Sequence, residues 1–199
     1  MKVVICDFDG TLLKKHSFPM WVFYIVRCSL RKGNLPVFFR FSTALALRWA
    51  GVISSSQFKT LLMRKRYPVE YDTLFVESLK VHVNPLVVER LSKIDGCYVL
   101  SSASPLSYLE HVAEAFDIKF DKVLGSYVSE GVLFENYAEN KVLALHEMID
   151  VADDIVLFTD HHMDLPLMKL SDEVFLVNPS KKTRRKADFE GVRYMVIEG

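Results

Sequence analysis

The segment Lys2-Val3-Val4-Ile5-Cys6-Asp7-Phe8-Asp9-Gly10-Thr11 decides the fold of this 199-residue chain. Its first five residues form a short apolar run, which is typical of a buried parallel strand. Asp7 ends the run, and Asp9 precedes a glycine that permits a tight turn. Ligands of parallel α/β sheets bind beyond the carboxyl ends of the strands. The two aspartates therefore indicate a functional site.

Two later apolar runs also end in polar residues. Cys97-Tyr98-Val99-Leu100 leads into Ser101 and Ser102, and Ile155-Val156-Leu157-Phe158-Thr159 leads into Asp160, with Asp164 four residues further on. Helical patterns separate the runs, so we expect an α/β fold with a doubly wound parallel sheet and a Rossmann-like core. We expect helices near 17–32, 36–50, 56–66, 70–80, 85–93, 106–116 and 139–150, and further strands within 122–134, at 174–177 and at 194–197.

The strand ends bring Asp7, Asp9, Asp160 and Asp164 toward one place, where four carboxylates would repel one another without a cation. Oxygen ligands at that density suit Mg²⁺. A carboxylate can attack phosphorus to give an aspartyl-phosphate, and a second one can give a proton to the leaving alcohol. These residue types therefore favour phosphoryl chemistry.

Between Asp9 and Glu70 the chain has eleven basic residues and no acidic one, whereas residues 70–199 hold 13 Lys/Arg and 23 Asp/Glu. A cationic segment attracts phosphates and anionic lipid head groups. We expect an anionic phosphorylated substrate and peripheral contact with an anionic membrane surface. The alternative is that the charges only solubilise a hydrophobic helical hairpin. Four aromatic residues fit either a membrane-facing stripe or the core of this segment: Phe38, Phe39, Phe41 and Trp49.

Other features narrow the class of protein. The cysteines Cys6, Cys28 and Cys97 are scattered and odd in number, which favours a reducing compartment. Nothing near the N-terminus resembles a signal peptide, and no uncharged apolar run reaches the roughly 18 residues that span a bilayer. We therefore expect a cytoplasmic protein, peripheral at the inner membrane face if it meets a membrane. The basic run 181–186 is more typical of a solvated helix than of a nucleic-acid site, and we expect no nucleic acid partner.

Four motifs in order resemble those of the haloacid dehalogenase superfamily. Asp7-Phe8-Asp9-Gly10-Thr11 matches its first motif, Ser102 after a hydrophobic strand its second, and Lys141 at the start of a helix its third. The stretch Thr159-Asp160-His161-His162-Met163-Asp164 resembles the fourth. His161 departs from this pattern, because the family usually has a small residue there. The pair His161-His162 also fits a transition metal, but the oxygen ligands favour a hard cation.

The resemblance implies a role for each motif residue. Asp7 is expected to be the nucleophile, and Asp9 the general acid and base, whose backbone carbonyl also meets Mg²⁺. Ser102 is expected to hydrogen-bond the phosphoryl group and Lys141 to neutralise it. Asp160 is expected to bind Mg²⁺, with Asp164 contributing directly, through water or through Lys141. The implied activity is Mg²⁺-dependent phosphomonoester hydrolysis through an aspartyl-phosphate.

The resemblance also implies a domain division, with a catalytic core at 1–13 and 85–199 and a helical cap at 14–84 inserted after the first strand. The cap, Ser102-Ala103-Ser104-Pro105 and Val177-Asn178-Pro179 are similar to the phosphoserine-phosphatase-like branch. The apolar, basic character of the cap resembles the phosphatidylglycerophosphatase C family, which acts on a lipid phosphate. Phosphoryl transfer to an alcohol and a non-enzymatic phosphoacceptor or binding module remain alternatives.

Overall fold

One seven-stranded sheet organises the chain, of which the computed structural model describes residues 1–64 and 67–199. The strands are β1 (Lys2–Cys6), β2 (Cys97–Pro105), β3 (Lys122–Ser129), β4 (Val132–Phe134), β5 (Asp154–Thr159), β6 (Glu173–Val177) and β7 (Met195–Ile197). Across the sheet they follow the order β4-β3-β2-β1-β5-β6-β7. Neighbours are parallel except β3 and β4, which are antiparallel. The predicted α/β fold with a doubly wound, mostly parallel sheet is confirmed.

The direction in which the sheet grows reverses beside β1. The chain passes outward from β1 through β2 to β3, and then returns to β5 on the other side of β1. Ile5 of β1 consequently lies between Val99 of β2 and Leu157 of β5. A crevice opens at the carboxyl ends of strands where such a reversal occurs. The ends of β1 and β5 are therefore the place to look for a ligand site.

Ten α-helices accompany the sheet in the described part of the chain. They are α1 (Ser17–Arg31), α2 (Leu35–Trp49), α3 (Ser55–Met63), α4 (Glu70–Leu79), α5 (Pro85–Leu91), α6 (Leu106–Leu109), α7 (Val112–Phe116), α8 (Glu139–Asp150), α9 (Leu165–Met168) and α10 (Lys181–Phe189). Local sequence explains several starts. Ser54 and Gln57 form a reciprocal capping box before α3, and Asn84 caps α5, which begins with a proline.

Some element boundaries differ from those expected. α3 ends at Met63, and residues 65 and 66 of the predicted helix lie outside the described residues. β2 continues to Pro105 because its pairing with β3 shifts register after Ser101, which lets the strand run on through an irregularity. The single helix expected up to residue 116 is divided into α6 and α7, although no glycine or proline in that stretch marks the break.

The sheet separates two hydrophobic cores. Alternate side chains of β1 point to opposite faces, so Val4 and Cys6 enter one core while Val3 and Ile5 enter the other. The first core also contains buried side chains of α1 to α4 and is rich in aromatic residues. The four helices that precede α5 therefore share a core with one face of the sheet.

Trp21 lies at the centre of the aromatic cluster in these helices. Its ring contacts those of Phe41 and Tyr108 at centroid distances of 5.5 and 5.8 Å. Its Nε1 donates to the buried carboxylate of Asp72 at 2.8 Å, and the Tyr67 hydroxyl donates to the same carboxylate at 3.1 Å. Desolvation of that carboxylate is thus offset by hydrogen bonds.

The sequence allowed two interpretations for four aromatic residues of α2, and the structure supports a different one for different residues. Phe41 is fully buried, whereas Phe39 and Trp49 are exposed and Phe38 is half-buried. Phe41 therefore belongs to the core, and Phe39 and Trp49 remain available to a partner surface. Among the described residues no helix combines the length and the apolar character that crossing a membrane requires.

Candidate active site

A cavity of about 250 Å³ lies where β1, β2 and β5 end. All six side chains expected to form a site line it: Asp7, Asp9, Ser102, Lys141, Asp160 and Asp164. Asp7 and Asp160 directly follow β1 and β5, which flank the reversal of the sheet. Residues distant in sequence therefore meet where the strand order predicts a ligand crevice.

Lys141 connects two of the carboxylates. It lies in the first turn of α8, is only 3% exposed, and its Nζ donates to Asp7 Oδ1 at 2.8 Å and to Asp164 Oδ2 at 2.9 Å. Thr159 Oγ1 donates to the same oxygen of Asp164 at 2.7 Å. Asp164 thus positions the lysine, and the lysine presents its charge at Asp7.

The acidic groups of the cavity are electrostatically crowded. Burial raises the pKa of Asp7 to about 8 against the opposing charge of Lys141, and Asp164 and Asp160 repel its charged form. Burial also raises the pKa of Asp160 to about 6, and Asp164 adds to the shift. Burial disfavours the charge of Lys141, but Asp164 and Asp7 together raise its pKa above the usual range. One buried lysine does not compensate three neighbouring carboxylates, and such imbalance is typical of functional sites.

Gly10 allows the loop after β1 to approach Asp160. The residue has φ of +79°, and a Cβ atom built on it would lie 2.4 Å from Asp160 Oδ2. Any side chain here would displace the carboxylate and would also strain a left-handed backbone. Glycine therefore brings the Asp160 carboxylate against the backbone that follows Asp9.

The carboxylate of Asp9 is held by groups outside the motifs. The backbone N–H of Ser17, at the start of α1, donates to Oδ1, and Ser104 Oγ donates to Oδ2 at 2.5 Å. The hydroxyls of Ser17 and Tyr108 are hydrogen-bonded to each other at 2.7 Å. Sequence reasoning assigned none of these partners a role. The nearest sequence signal for Ser104 is its place two residues after the motif residue Ser102.

Hydrogen bonds also fix the end of β2. Ser102 Oγ accepts from the Ser104 backbone N–H at 3.1 Å. The Asn136 side-chain amide donates to Ser101 Oγ and to the Ser102 carbonyl, each at 3.1 Å. Asn136 also escaped sequence reasoning, because its position beside β2 depends on the β3–β4 hairpin that precedes it.

The histidines near Asp160 are not arranged as a metal pair. His161 Nδ1 accepts from the Met163 backbone N–H at 3.3 Å, and its ring lies 4.1 Å, centroid to centroid, from that of His162. Burial lowers the pKa of His161; Asp164 opposes that shift, and Lys182 and His16 add to it. Burial likewise lowers the pKa of His162.

Within residues 1–64 and 67–199, no three His, Cys, Asp or Glu side chains are already grouped as a set of metal ligands. The hydrogen bonds explain this: Asp9 is engaged by Ser17 and Ser104, and Asp164 by Lys141 and Thr159. Asp7 and Asp160 are the acidic side chains of the cavity best suited to a cation. Their hard oxygen atoms suit Mg²⁺, which needs few protein ligands because it retains waters. Their raised pKa values mean that their negative charge is disfavoured without a nearby cation.

Comparison with known proteins agrees with the motifs. The model of the haloacid dehalogenase-like hydrolase family matches residues 4–169. No curated protein matches the chain at a significant level.

Three solved structures illustrate the shared fold. A protein of unknown function from Bordetella pertussis Tohama I has a TM-score of 0.73 at 18% identity, covering 98% of this chain and 97% of that chain. A phosphoserine phosphohydrolase-like protein from Francisella tularensis subsp. tularensis SCHU S4 has a TM-score of 0.57 at 18% identity, covering 99% and 95%. A phospho-aspartyl intermediate analogue of phosphoserine phosphatase has a TM-score of 0.53 at 16% identity, covering 94% and 91%. At these identities the likeness concerns the fold.

The family match extends from β1 to α9 and so includes the whole cavity from Asp7 to Asp164. The predicted family and the predicted likeness to phosphoserine phosphatases are both confirmed. The chain belongs to the haloacid dehalogenase-like hydrolase family.

Proposed function

We propose that the protein is a Mg²⁺-dependent phosphomonoester hydrolase that works through an aspartyl-phosphate on Asp7. The observation that carries the proposal is the contact of Asp7 with Lys141 in a cavity that also contains Asp160 and Asp9. Lys141 holds one oxygen of Asp7, which orients the carboxylate for attack by the other. The solved phospho-aspartyl analogue of phosphoserine phosphatase supports this role for an enzyme of the same fold.

Asp7 carries the phosphoryl group, Asp9 moves the proton, and water completes the hydrolysis. An oxygen of Asp7 bonds to phosphorus while the bond from phosphorus to the leaving oxygen breaks, and protonated Asp9 gives its proton to that oxygen. Asp9 then takes a proton from a water molecule, whose oxygen attacks phosphorus and releases phosphate and free Asp7. Ser17 and Ser104 hold the Asp9 carboxyl in place for both transfers.

Ser102 and Lys141 are proposed to bind the phosphoryl group. Both line the cavity, and Lys141 is buried, so its charge acts on the phosphoryl oxygens with little screening by water. Asp7 and Asp160, with the backbone carbonyl of Asp9, are proposed to hold Mg²⁺. When bound, the ion would neutralise negative charge on the phosphoryl oxygens and the carboxylates.

Residues 14–84 are proposed to form the cap of the site. α3 contacts β4, and Lys59 of α3 forms an ion pair with Glu135, which follows β4. Ser17 at the start of α1 touches Asp9 directly. Because these helices reach the catalytic residues, they are in a position to select the leaving group.

We further propose that the exposed face of α1 and α2 contacts an anionic membrane surface. Trp49 is 95% exposed, Phe23 61% and Phe39 60%, which is unusual for side chains of this size. Arg27 and Arg31 are exposed on α1, and within the described residues neither is in an ion pair. Aromatic residues beside unpaired cations are typical of helices that lie in a lipid interface.

Hydrolysis of p-nitrophenyl phosphate tests the chemistry. Turnover is expected with Mg²⁺ and is expected to cease with a chelator, and acid quenching is expected to trap a phosphorylated protein. Added alcohols should not divert product if water is the acceptor. Alkyl phosphate formation would favour the phosphotransferase alternative, and trapped phosphoprotein without turnover would favour a phosphoacceptor module.

Vesicle binding tests the membrane contact. We expect binding at low salt to phosphatidylcholine vesicles that contain phosphatidylglycerol, and weaker binding without the anionic lipid. Each cation near such a surface contributes on the order of 1 kcal/mol. The double substitution Arg27→Glu and Arg31→Glu should therefore weaken binding, whereas Arg193→Glu, an exposed change outside the helices, should not. Equal binding by all three proteins would contradict the proposal.

A further inference from the structure

One side of the catalytic cavity carries basic side chains from three separate elements. His16 precedes α1, His161 follows β5, and Lys182 is the second residue of α10. The first two line the cavity, and all three are exposed. We call this set the basic rim.

α10 packs against the turn His162–Asp164 and so brings Lys182 to the rim. Lys182 lies close enough to His161 and His162 for its charge to add to the lowering of the pKa of both, which burial causes first. In the part of the chain that the structure describes, Lys182 is in no ion pair, unlike Lys169 and Arg184, which have acidic partners. Its ammonium group is therefore free to meet a ligand.

His161 offers the rim a hydrogen-bond donor. Its Nδ1 accepts from the Met163 backbone N–H, so a neutral ring carries its proton on Nε2. The residue is exposed and lines the cavity, so this donor is accessible to a ligand there. The family usually has a small residue here, so this donor belongs to this chain's own version of the site.

The rim has no acidic group of its own. Among the described residues, the carboxylates that line the cavity are Asp7, Asp9, Asp160 and Asp164; the proposed chemistry uses the first three, and Asp164 is paired with Lys141. A leaving group with an ammonium would meet cations and a histidine donor without an anionic partner. A leaving group with a negative charge would meet the ammonium group of Lys182 and the histidine donor.

We propose that the basic rim is an anion subsite, which binds a second negatively charged group on the alcohol part of the substrate. The inference rests on the proposed phosphatase function and names its substrate class: phosphomonoesters whose leaving alcohol bears a carboxylate or a second phosphate. The cavity of about 250 Å³ is small, so the second charge lies within a few bonds of the ester that is cleaved.

Four phosphomonoesters of similar size test the subsite. They are ethyl phosphate, O-phosphoethanolamine, 2-phosphoglycolate and propane-1,3-diol bisphosphate, whose leaving groups are neutral, cationic, carboxylate and phosphate. We expect kcat/KM to be highest for the last two and lowest for O-phosphoethanolamine, with the difference mainly in KM. The two anionic substrates distinguish a carboxylate from a phosphate as the preferred group.

Charge reversal at the rim provides the second arm. Lys182→Glu should lower the ratio of kcat/KM for the preferred anionic ester to that for ethyl phosphate by about tenfold, which corresponds to about 1.4 kcal/mol. Lys181→Glu, the same change on the adjacent exposed residue, should leave the ratio unchanged. His16→Ala should lower the ratio in the same direction as Lys182→Glu.

Two outcomes would overturn the subsite. One is equal kcat/KM for the four esters, and the other is an equal loss of the ratio in the Lys181 and Lys182 variants. Turnover of ethyl phosphate without discrimination would refute the subsite and keep the phosphatase proposal. A lack of turnover of all four esters would refute the phosphatase proposal. In that case calorimetric binding of the same esters to the Asp7→Asn protein still tests the charge preference of the subsite.

Discussion

Two buried aspartates in different regions of the molecule have opposite electrostatic surroundings. Asp72, in the helices between β1 and β2, is fully buried and accepts hydrogen bonds from Trp21 and Tyr67 inside an aromatic cluster. Asp7, at the end of β1, is also buried, but it faces Asp160 and Asp164 across a cavity. The first arrangement supports the fold, whereas the second leaves negative charge poorly compensated.

This difference separates a region that stabilises the fold from a region suited to function. Apolar contacts and hydrogen bonds around Asp72 hold the helices to one face of the sheet. Around Asp7 the fold maintains repulsion between carboxylates that a bound cation would relieve. Natural proteins keep locally unfavourable arrangements mainly at functional sites, and the crowded carboxylates around Asp7 are such an arrangement.

The largest effect expected is on catalysis at Asp7. Asp7→Asn should reduce turnover by on the order of 10⁴-fold or more and abolish the trapped phosphoprotein, because the amide is no nucleophile. The protein should stay folded, since the change removes a repelling charge. Asp72→Asn is the matched control and should lower the melting temperature while keeping turnover in the folded protein. Undiminished activity in folded Asp7→Asn would refute the mechanism.

The next effect separates the acid from the nucleophile. Asp9→Asn should slow hydrolysis of alkyl phosphates by roughly 10²–10⁴-fold, since their leaving oxygens need a proton. Phosphoryl transfer from p-nitrophenyl phosphate should suffer less, because nitrophenolate leaves without one. Rates for both substrates in the same preparation measure the difference. Equal losses would mean that Asp9 acts through the metal or through structure.

On the structural side of the comparison, Trp21→Ala should destabilise the protein by about 3–5 kcal/mol, because it opens a large cavity in the aromatic cluster. It also removes the Nε1 donor of Asp72. Trp49→Ala is the control at the exposed end of α2 and should change stability by no more than about 0.5 kcal/mol. Chemical denaturation of both variants gives the two values. Similar losses would show that the exposed tryptophan is held by a partner in solution.

The smallest effect concerns metal-free stability and pH. Asp160 has a pKa of about 6 in the folded protein against an ordinary value of 3.8, so the folded state binds more protons than the unfolded chain between these values. The contribution of Asp160 to stability should therefore fall as pH rises from about 4 to 6. Asp160→Asn should flatten this part of the stability curve.

Mg²⁺ should reverse the loss. A concentration about 100-fold above the dissociation constant should add about 2.7 kcal/mol to the wild-type protein and little to Asp160→Asn. Thermal denaturation in a chelator and in Mg²⁺ provides the measurement. A gain of equal size in both proteins would locate the ion elsewhere.

The sequence alone predicted the residues that strand ends position. Asp7 and Asp160 follow apolar strands, and Ser102 follows the apolar first half of β2, so the pattern places all three toward one edge of a parallel sheet. Lys141 was expected from its motif to neutralise a phosphoryl group, and its contact with Asp7 at 2.8 Å was not part of that expectation. These residues depend on local pattern and on topology, which a sequence records.

Contacts between distant elements were not predictable. Ser17 and Ser104 hold Asp9 because α1 returns over the end of β2, and no pattern in either segment encodes that approach. Which aromatic residues of α2 are buried also depends on a contact between elements. Phe41 lies on the side of α2 that faces α1 and is buried, whereas Phe39 lies on another side and is exposed. Lys32 also proved to have an acidic partner, Glu70, beyond the segment in which it was counted.

The alternation of β1 between the two cores has a consequence for hydrogen exchange. A strand whose side chains belong to both cores cannot open while either core is intact, so its amide protons should exchange only through global unfolding. Helices that pack on one core can exchange through local openings that require less free energy than global unfolding. The proposed nucleophile thus follows one of the strands expected to exchange most slowly, while Lys141 lies on α8, a helix whose apolar residues belong to the second core.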